Sequence, residues 1–193
     1  MALVFTTSLL TVGFVWWEKQ DGLPRKLRIS RISEKLKKYI WYICIIVLIQ
    51  LMIGAYLSTS YHRAACNIGF YEGWPLCQGS ILPVLKQFGI MLNYGHRVSA
   101  VVVGALLLYV EREANNEFKD SKAIVKVMLK TAGIIYFINI LLGGLYVVTA
   151  VDGIFLGWLS LLHLLVGVCV FLTLATTYLL INISEQEVNN VSN

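Results

Sequence analysis

The chain has 193 residues, 58% of them hydrophobic and 14% charged, with a mean hydropathy of +0.71, a balance that excludes an ordinary soluble globular domain. Its formal charge of +5 comes from 16 Lys and Arg against 11 Asp and Glu; in so apolar a chain this excess belongs to cytoplasmic loops of a membrane protein, and no nucleic-acid partner is expected. At about 20 residues per crossing, the length holds roughly four or five spans in one bundle and no sizeable soluble domain.

The first apolar run, Ala2 to Trp17, is short and is followed by Glu18, Lys19 and a basic stretch. That order is the reverse of a secretory signal peptide. The run reads as a short extra helix with its N-terminus outside, as an interfacial segment, or as upstream sequence foreign to the native chain. Between Glu18 and Lys38 stand Lys19, Arg25, Lys26, Arg28, Arg31, Lys35, Lys37 and Lys38. The positive-inside rule places this stretch in the cytoplasm, against anionic headgroups.

Four longer runs follow: Tyr39 to Thr59, Gln87 to Val110, Ala123 to Thr149 and Ile154 to Asn182. Each is read as a spanning helix, because only a helix or a closed barrel satisfies backbone polar groups in lipid. The loop from Ser60 to Lys86 carries only Arg63 and Lys86, and Ala150 to Gly153 carries no cation, so both face outward. Arg112, Lys119, Lys122, Lys126 and Lys130 keep the middle connection inside, and the tail Ile183 to Asn193 ends inside. The expected architecture is all-α: an integral membrane four-helix bundle over 39–182, with or without the extra N-terminal helix. Residues 1–38 form a hydrophobic and basic lead, and 183–193 a cytoplasmic tail.

His96 and His163 lie inside predicted spans, where an ionisable side chain is costly and marks a functional site by default. They stand nine positions beyond Gln87 and Ile154 on two helices that run from outside to inside, so both lie roughly 14 Å deep. Two imidazoles at one depth on facing helices suit the two axial positions of a haem iron. Either histidine alone reads equally as a helix-to-helix hydrogen-bond partner.

Gln50 and Asn139 fall at a similar depth on the other two helices, either orienting the imidazoles or making plain interhelical contacts. Arg97 needs a partner in lipid: a haem propionate, a backbone carbonyl or Asn93. Gly143, Gly144 and the pair Gly153 and Gly157 leave room for close helix packing or for a flat macrocycle.

Cys66 and Cys77 share the outward loop, where a disulfide would persist and close ten intervening residues. If formed, it is either a staple or a redox-active bond. Cys44 and Cys169 fall within spans and read as small apolar residues. His62 and Arg63, at the outer end of the first span, read as exposed loop residues or as contacts for anionic groups at the bundle mouth.

An ordered set of segments carries a resemblance: Gly73-Trp74-Pro75-Leu76-Cys77-Gln78-Gly79 after an upstream cysteine, Tyr94-Gly95-His96-Arg97-Val98-Ser99-Ala100, Leu142-Gly143-Gly144-Leu145 with Val147-Val148-Thr149, and Leu162-His163-Leu164-Leu165. Over residues 45 to 170 the chain resembles haem A synthase, a cytochrome oxidase assembly protein that converts haem O to haem A. Full-size members have eight helices in two similar halves, each with a histidine pair, and this chain resembles the half-size form. The resemblance implies a homodimer or higher oligomer in a prokaryotic cell membrane. It also implies a haem b cofactor whose iron is held by His96 and His163, and haem O as substrate, its C8 methyl oxidised through an alcohol to a formyl group. Haem O synthase or the terminal oxidase assembly machinery would be the partners, beside the lipid bilayer. Cys66 and Cys77 would be the outer-loop pair.

Two features depart from the family. Asn93 stands where a glutamate is frequent three residues before the first histidine, and an amide is no carboxylate base. The two cysteines are also spaced more widely than is usual. The candidates for catalysis are therefore Asn93, Glu72, Cys66 and Cys77, with Asp152 a further carboxylate at the outer face. Two other functions remain open on sequence alone. One is a bis-histidine b-type cytochrome or haem-binding assembly factor without methyl-oxidising activity. The other is a membrane thiol-disulfide oxidoreductase, which leaves His96 and His163 unexplained.

Overall fold

The computed structural model describes residues 32–119 and 123–191, with side chains placed as far as Ser184, together with Gly13 and Ile29. The expected short helix over Ala2 to Trp17 lies, apart from Gly13, outside the described residues. Four helices follow in order: α1 Glu34–Thr59, α2 Phe88–Glu117, α3 Ile124–Val148 and α4 Gly157–Val191. Each is long and apolar enough to cross a membrane.

Local chemistry sets the ends. Ser33 caps α1, its hydroxyl accepting from the Leu36 amide at 3.2 Å, and Glu34 supplies a negative charge in the first turn. The start of α1 is tied to the end of α2: the Ser33 hydroxyl donates to Glu117 at 2.6 Å, and Lys35 pairs with Glu113 at 3.1 Å. At its other end, the Ser60 hydroxyl accepts from the His62 amide and opens a 3-10 turn, Tyr61–Ala64. Beyond Asn182, where the cytoplasmic tail is expected to begin, α4 runs on to Val191. No Gly or Pro follows Gly167 to break it, and the Asn182 amide is satisfied within the helix by the Tyr178 carbonyl at 2.8 Å.

The helices close a ring in which α1 packs on α2, α2 on α3, α3 on α4 and α4 on α1, and among the described residues the backbones make no close approach across either diagonal. The apolar core fills only one half of that ring, toward the connection between α2 and α3. Leu36, Ile40, Val103, Leu107, Val125, Leu129, Val170 and Leu174 are all buried there. The outer surface is apolar as well: Met52, Leu108, Phe137 and Leu165 are exposed. A face of that kind is stable against lipid rather than water. The chain is an integral membrane protein.

The half of the bundle nearer the α1–α2 loop is built differently. Cys66, Cys77 and Ile90 form a small separate cluster beneath that loop. The loop is tightly wound, with positive φ at Asn67, Tyr71 and Gln78, and the Gly69 amide donates to the Val147 carbonyl at 3.1 Å, joining it to the end of α3. Between this cap and the apolar core the bundle encloses a cavity.

Candidate functional site

The cavity holds about 290 Å³ and is lined by all four helices and by the loop residues Arg63, Trp74 and Pro75. Gln50, Asn93, His96, Arg97, Asn139 and His163, all singled out from sequence, meet on its wall. Glu72 and Asp152 do not: both are exposed, the Glu72 carboxylate beside Gly79 within the loop and Asp152 in the α3–α4 turn. No Asp or Glu lines the cavity among the described residues.

The two histidines sit in matching surroundings. A Cβ on Gly54 of α1 would lie 3.0 Å from Cε1 of His96 on α2, and a Cβ on Gly143 of α3 would lie 2.9 Å from Cε1 of His163 on α4. Each imidazole therefore rests against the bare backbone of the preceding helix. Gln50 and Asn139 each stand four residues before that glycine, on the same helix face. Sequence reasoning passed over Gly54. The signal that finds it is the repeat of an amide and a glycine four apart in α1 and α3.

Nδ1 of His163 donates to the Asn139 backbone carbonyl at 2.9 Å. A carbonyl only accepts, so the proton is on Nδ1 and the Nε2 lone pair is free. The contact uses the Asn139 backbone and leaves the side-chain oxygen buried without a partner. Gln50 likewise does not reach an imidazole: its Nε2 donates to the His96 carbonyl at 2.8 Å, and its oxygen accepts from Ser99 at 2.6 Å. Nδ1 of His96 is buried without a hydrogen bond.

Arg97 answers to two of the three partners open on sequence. Its Nε donates to Oδ1 of Asn93 at 3.0 Å, and Nη1 donates to the carbonyls of Gly73 and Leu76 in the loop. Nη2 is buried without a partner. The Asn93 amide donates in turn to the carbonyls of His62 and Arg63, at 3.2 and 3.1 Å. Asn93 thus ties α2 to the 3-10 turn, a use a carboxylate could not serve because it has no N–H to give.

Cys66 and Cys77 are paired, with Cα atoms 4.5 Å apart, beneath the loop and off the cavity wall. The indole of Trp74 caps the mouth against Gly144, where an added Cβ would fall 2.6 Å from the ring. His62 lies tilted against Tyr61 at 4.0 Å and meets Phe88 edge-on at 5.4 Å, off the cavity wall, while the Arg63 guanidinium lies 5.2 Å from the Phe155 ring centroid. Cys44 is buried and Cys169 exposed, neither on the wall.

Among the described residues no three His, Cys, Asp or Glu cluster to hold a metal ion. The wall instead offers two imidazoles, a free Nε2 on His163 and glycines beside both rings. This donor set fits a flat macrocycle carrying its own equatorial nitrogens, which needs two axial ligands and no more.

A model of the family described as cytochrome oxidase assembly protein matches residues 1–179. The chain is 26% identical over 124 residues to a heme A synthase of Shouchella clausii, covering 64% of this chain and 38% of that protein. To a heme A synthase of Symbiobacterium thermophilum it is 29% identical over 108 residues, 55% of this chain and 33% of that one. A heme A synthase of Alkalihalophilus pseudofirmus gives 26% over 113 residues, 58% and 37%. The matched part spans little more than a third of the length of these curated relatives. No solved structure matches the chain. With a family model covering nearly its whole length, the chain belongs to the cytochrome oxidase assembly protein family.

Proposed function

We propose that this chain is a haem-binding membrane oxidoreductase of the haem A synthase type, with haem O as its substrate. The observation that carries the reading is the matched placement of His96 and His163, each against a glycine of the preceding helix, on the wall of one cavity. These two residues would hold a haem b iron. When bound, that haem would supply one-electron transfer. Taking the C8 methyl of haem O through an alcohol to a formyl group draws the oxygen from water and releases electrons and protons in two two-electron steps, so the electrons pass on through the haem to an external acceptor.

The chain's own residues bind, orient and exclude water. Asn139 fixes the His163 tautomer through its carbonyl. Gln50 and Ser99 hold the α2 backbone at His96. Trp74 and the loop cover the mouth. The wall carries no carboxylate, so none of its residues serves as a carboxylate base, and Asn93 acts by positioning.

The orientation that goes with this reading puts the α1–α2 loop outside the cell membrane, with a Cys66–Cys77 disulfide as its staple, and the basic lead and the C-terminus in the cytoplasm. One chain provides one histidine pair, and a homodimer restores the two pairs of a full-size member. Haem O synthase and the terminal oxidase assembly machinery are the partners that would deliver substrate and take product.

Pigment extraction from cells that make haem B and haem O tests the activity. Haem A found only when this chain is produced supports it. Bound haem with no conversion supports a bis-histidine cytochrome or carrier instead, and overturns the enzymatic reading.

A further inference from the structure

Within its described surroundings the cavity has an unbalanced charge. The Arg97 guanidinium is held by three oxygens, all neutral, from Asn93, Gly73 and Leu76. Its Nη2 remains buried without a partner, and no Asp or Glu is in ion-pair range of it among the described residues. Arg63 also lines the cavity, its guanidinium 5.2 Å from the Phe155 ring centroid. One residue sets both cations: Asn93 accepts from the Arg97 side chain and donates to the Arg63 carbonyl. A guanidinium in a spanning segment keeps its charge at any ordinary pH, and each of its donors needs an acceptor to offset desolvation. With no carboxylate on the wall, a ligand's anion is the acceptor that would satisfy Nη2 and balance the charge.

We infer, on the reading that the cavity takes a haem, that Arg97 and Arg63 form a carboxylate subsite at the loop end of the cavity, arranged by Asn93, for the acidic edge of the tetrapyrrole. Nη2 of Arg97 is the free donor, and Arg63 supplies a second cation at the mouth. A macrocycle held there by its carboxylates directs its apolar edge away from the loop, toward a wall that includes Val47, Leu51, Ile140 and Leu164. The subsite therefore selects the orientation of the ligand, a property that axial ligation alone does not fix.

The experiment compares the diacid haem b with its dimethyl ester, titrated into the purified full chain in nanodiscs of neutral phosphatidylcholine and followed by absorption. The wild type is expected to bind the diacid at least tenfold more tightly than the diester, both with a low-spin spectrum. Arg97→Gln should bring the ratio near one while keeping the low-spin spectrum, and Arg97→Lys should retain part of the preference. Because Arg97→Gln also gives up bonds to the loop, Arg63→Gln forms a second arm: it should lower the ratio severalfold with an unchanged circular dichroism spectrum. Equal affinity of the wild type for diacid and diester, or a full preference kept by both glutamine variants, overturns the subsite alone. Absence of any low-spin spectrum in the wild type overturns the haem reading and the subsite together. A preference present in phosphatidylcholine and abolished by phosphatidylglycerol assigns the cations to a lipid phosphate and also overturns the subsite.

Discussion

The Cβ that Gly143 lacks would stand 2.9 Å from Cε1 of His163, so the helix before the histidine gives up a side chain to let the imidazole lie against its backbone. Gly54 makes the same concession to His96 at 3.0 Å. Methyl groups at these positions crowd the rings. Gly143→Ala is expected to displace the His163 ring at an overpacking cost of about 1–3 kcal/mol, and to weaken haem binding roughly tenfold or more, read by absorption titration. Gly54→Ala should act in the same direction and less severely. Unchanged haem affinity in both variants would mean that the glycines serve helix packing only.

Gly144→Ala offers a contrast on the neighbouring residue. Its added methyl meets the Trp74 ring at 2.6 Å rather than a histidine, so it should lift the loop and leave the iron ligands in place. Faster proteolysis within the loop, together with an unaltered low-spin spectrum, is the expected pair of results. A lost low-spin spectrum would show that the loop and the histidines are not separable.

Asn93 holds three partners at once: the His62 and Arg63 carbonyls and Nε of Arg97. Asn93→Ala leaves all three without this partner, and a buried group left unpaired costs about 1–3 kcal/mol. The expected outcome is a lower thermal midpoint in detergent. Asn93→Asp should rescue only part of it, since the carboxylate still accepts from Arg97 but has nothing to donate to the two carbonyls. Full rescue by aspartate would contradict the positioning role.

Closing the loop between Cys66 and Cys77 is worth about 3 kcal/mol in a chain-entropy account. Replacing both cysteines by serine should lower thermal stability accordingly, with haem ligation kept, because neither sulfur lines the cavity. A thiol count on protein isolated under oxidising conditions checks the pairing, and two free thiols would rule it out.

His96 and His163 were legible in the sequence because an ionisable residue inside an apolar run has few inexpensive explanations. The four spans were legible for the same reason, since lipid admits almost no other backbone. Gly54 was not, because glycine is common in spanning helices and only its pairing with Gln50, repeated as Asn139 and Gly143, distinguishes it. The partners of Arg97 were open because they belong to a loop whose path depends on positive φ at Asn67, Tyr71 and Gln78 and on tertiary contacts with α3. The role of Asn139 illustrates another limit: its residue type suggests a side-chain contact, whereas it is the backbone carbonyl that orients His163. The continuation of α4 to Val191 was missed because polarity, not a helix breaker, marks the change beyond Asn182.

The central claim is that His96 and His163 ligate one haem iron between them, and electron paramagnetic resonance of the purified chain reconstituted with haem b tests it most directly. The wild type should give a low-spin bis-histidine signal, His96→Ala and His163→Ala should each lose it, and added imidazole should restore it in each. A low-spin signal that survives unchanged in either alanine variant would contradict the account.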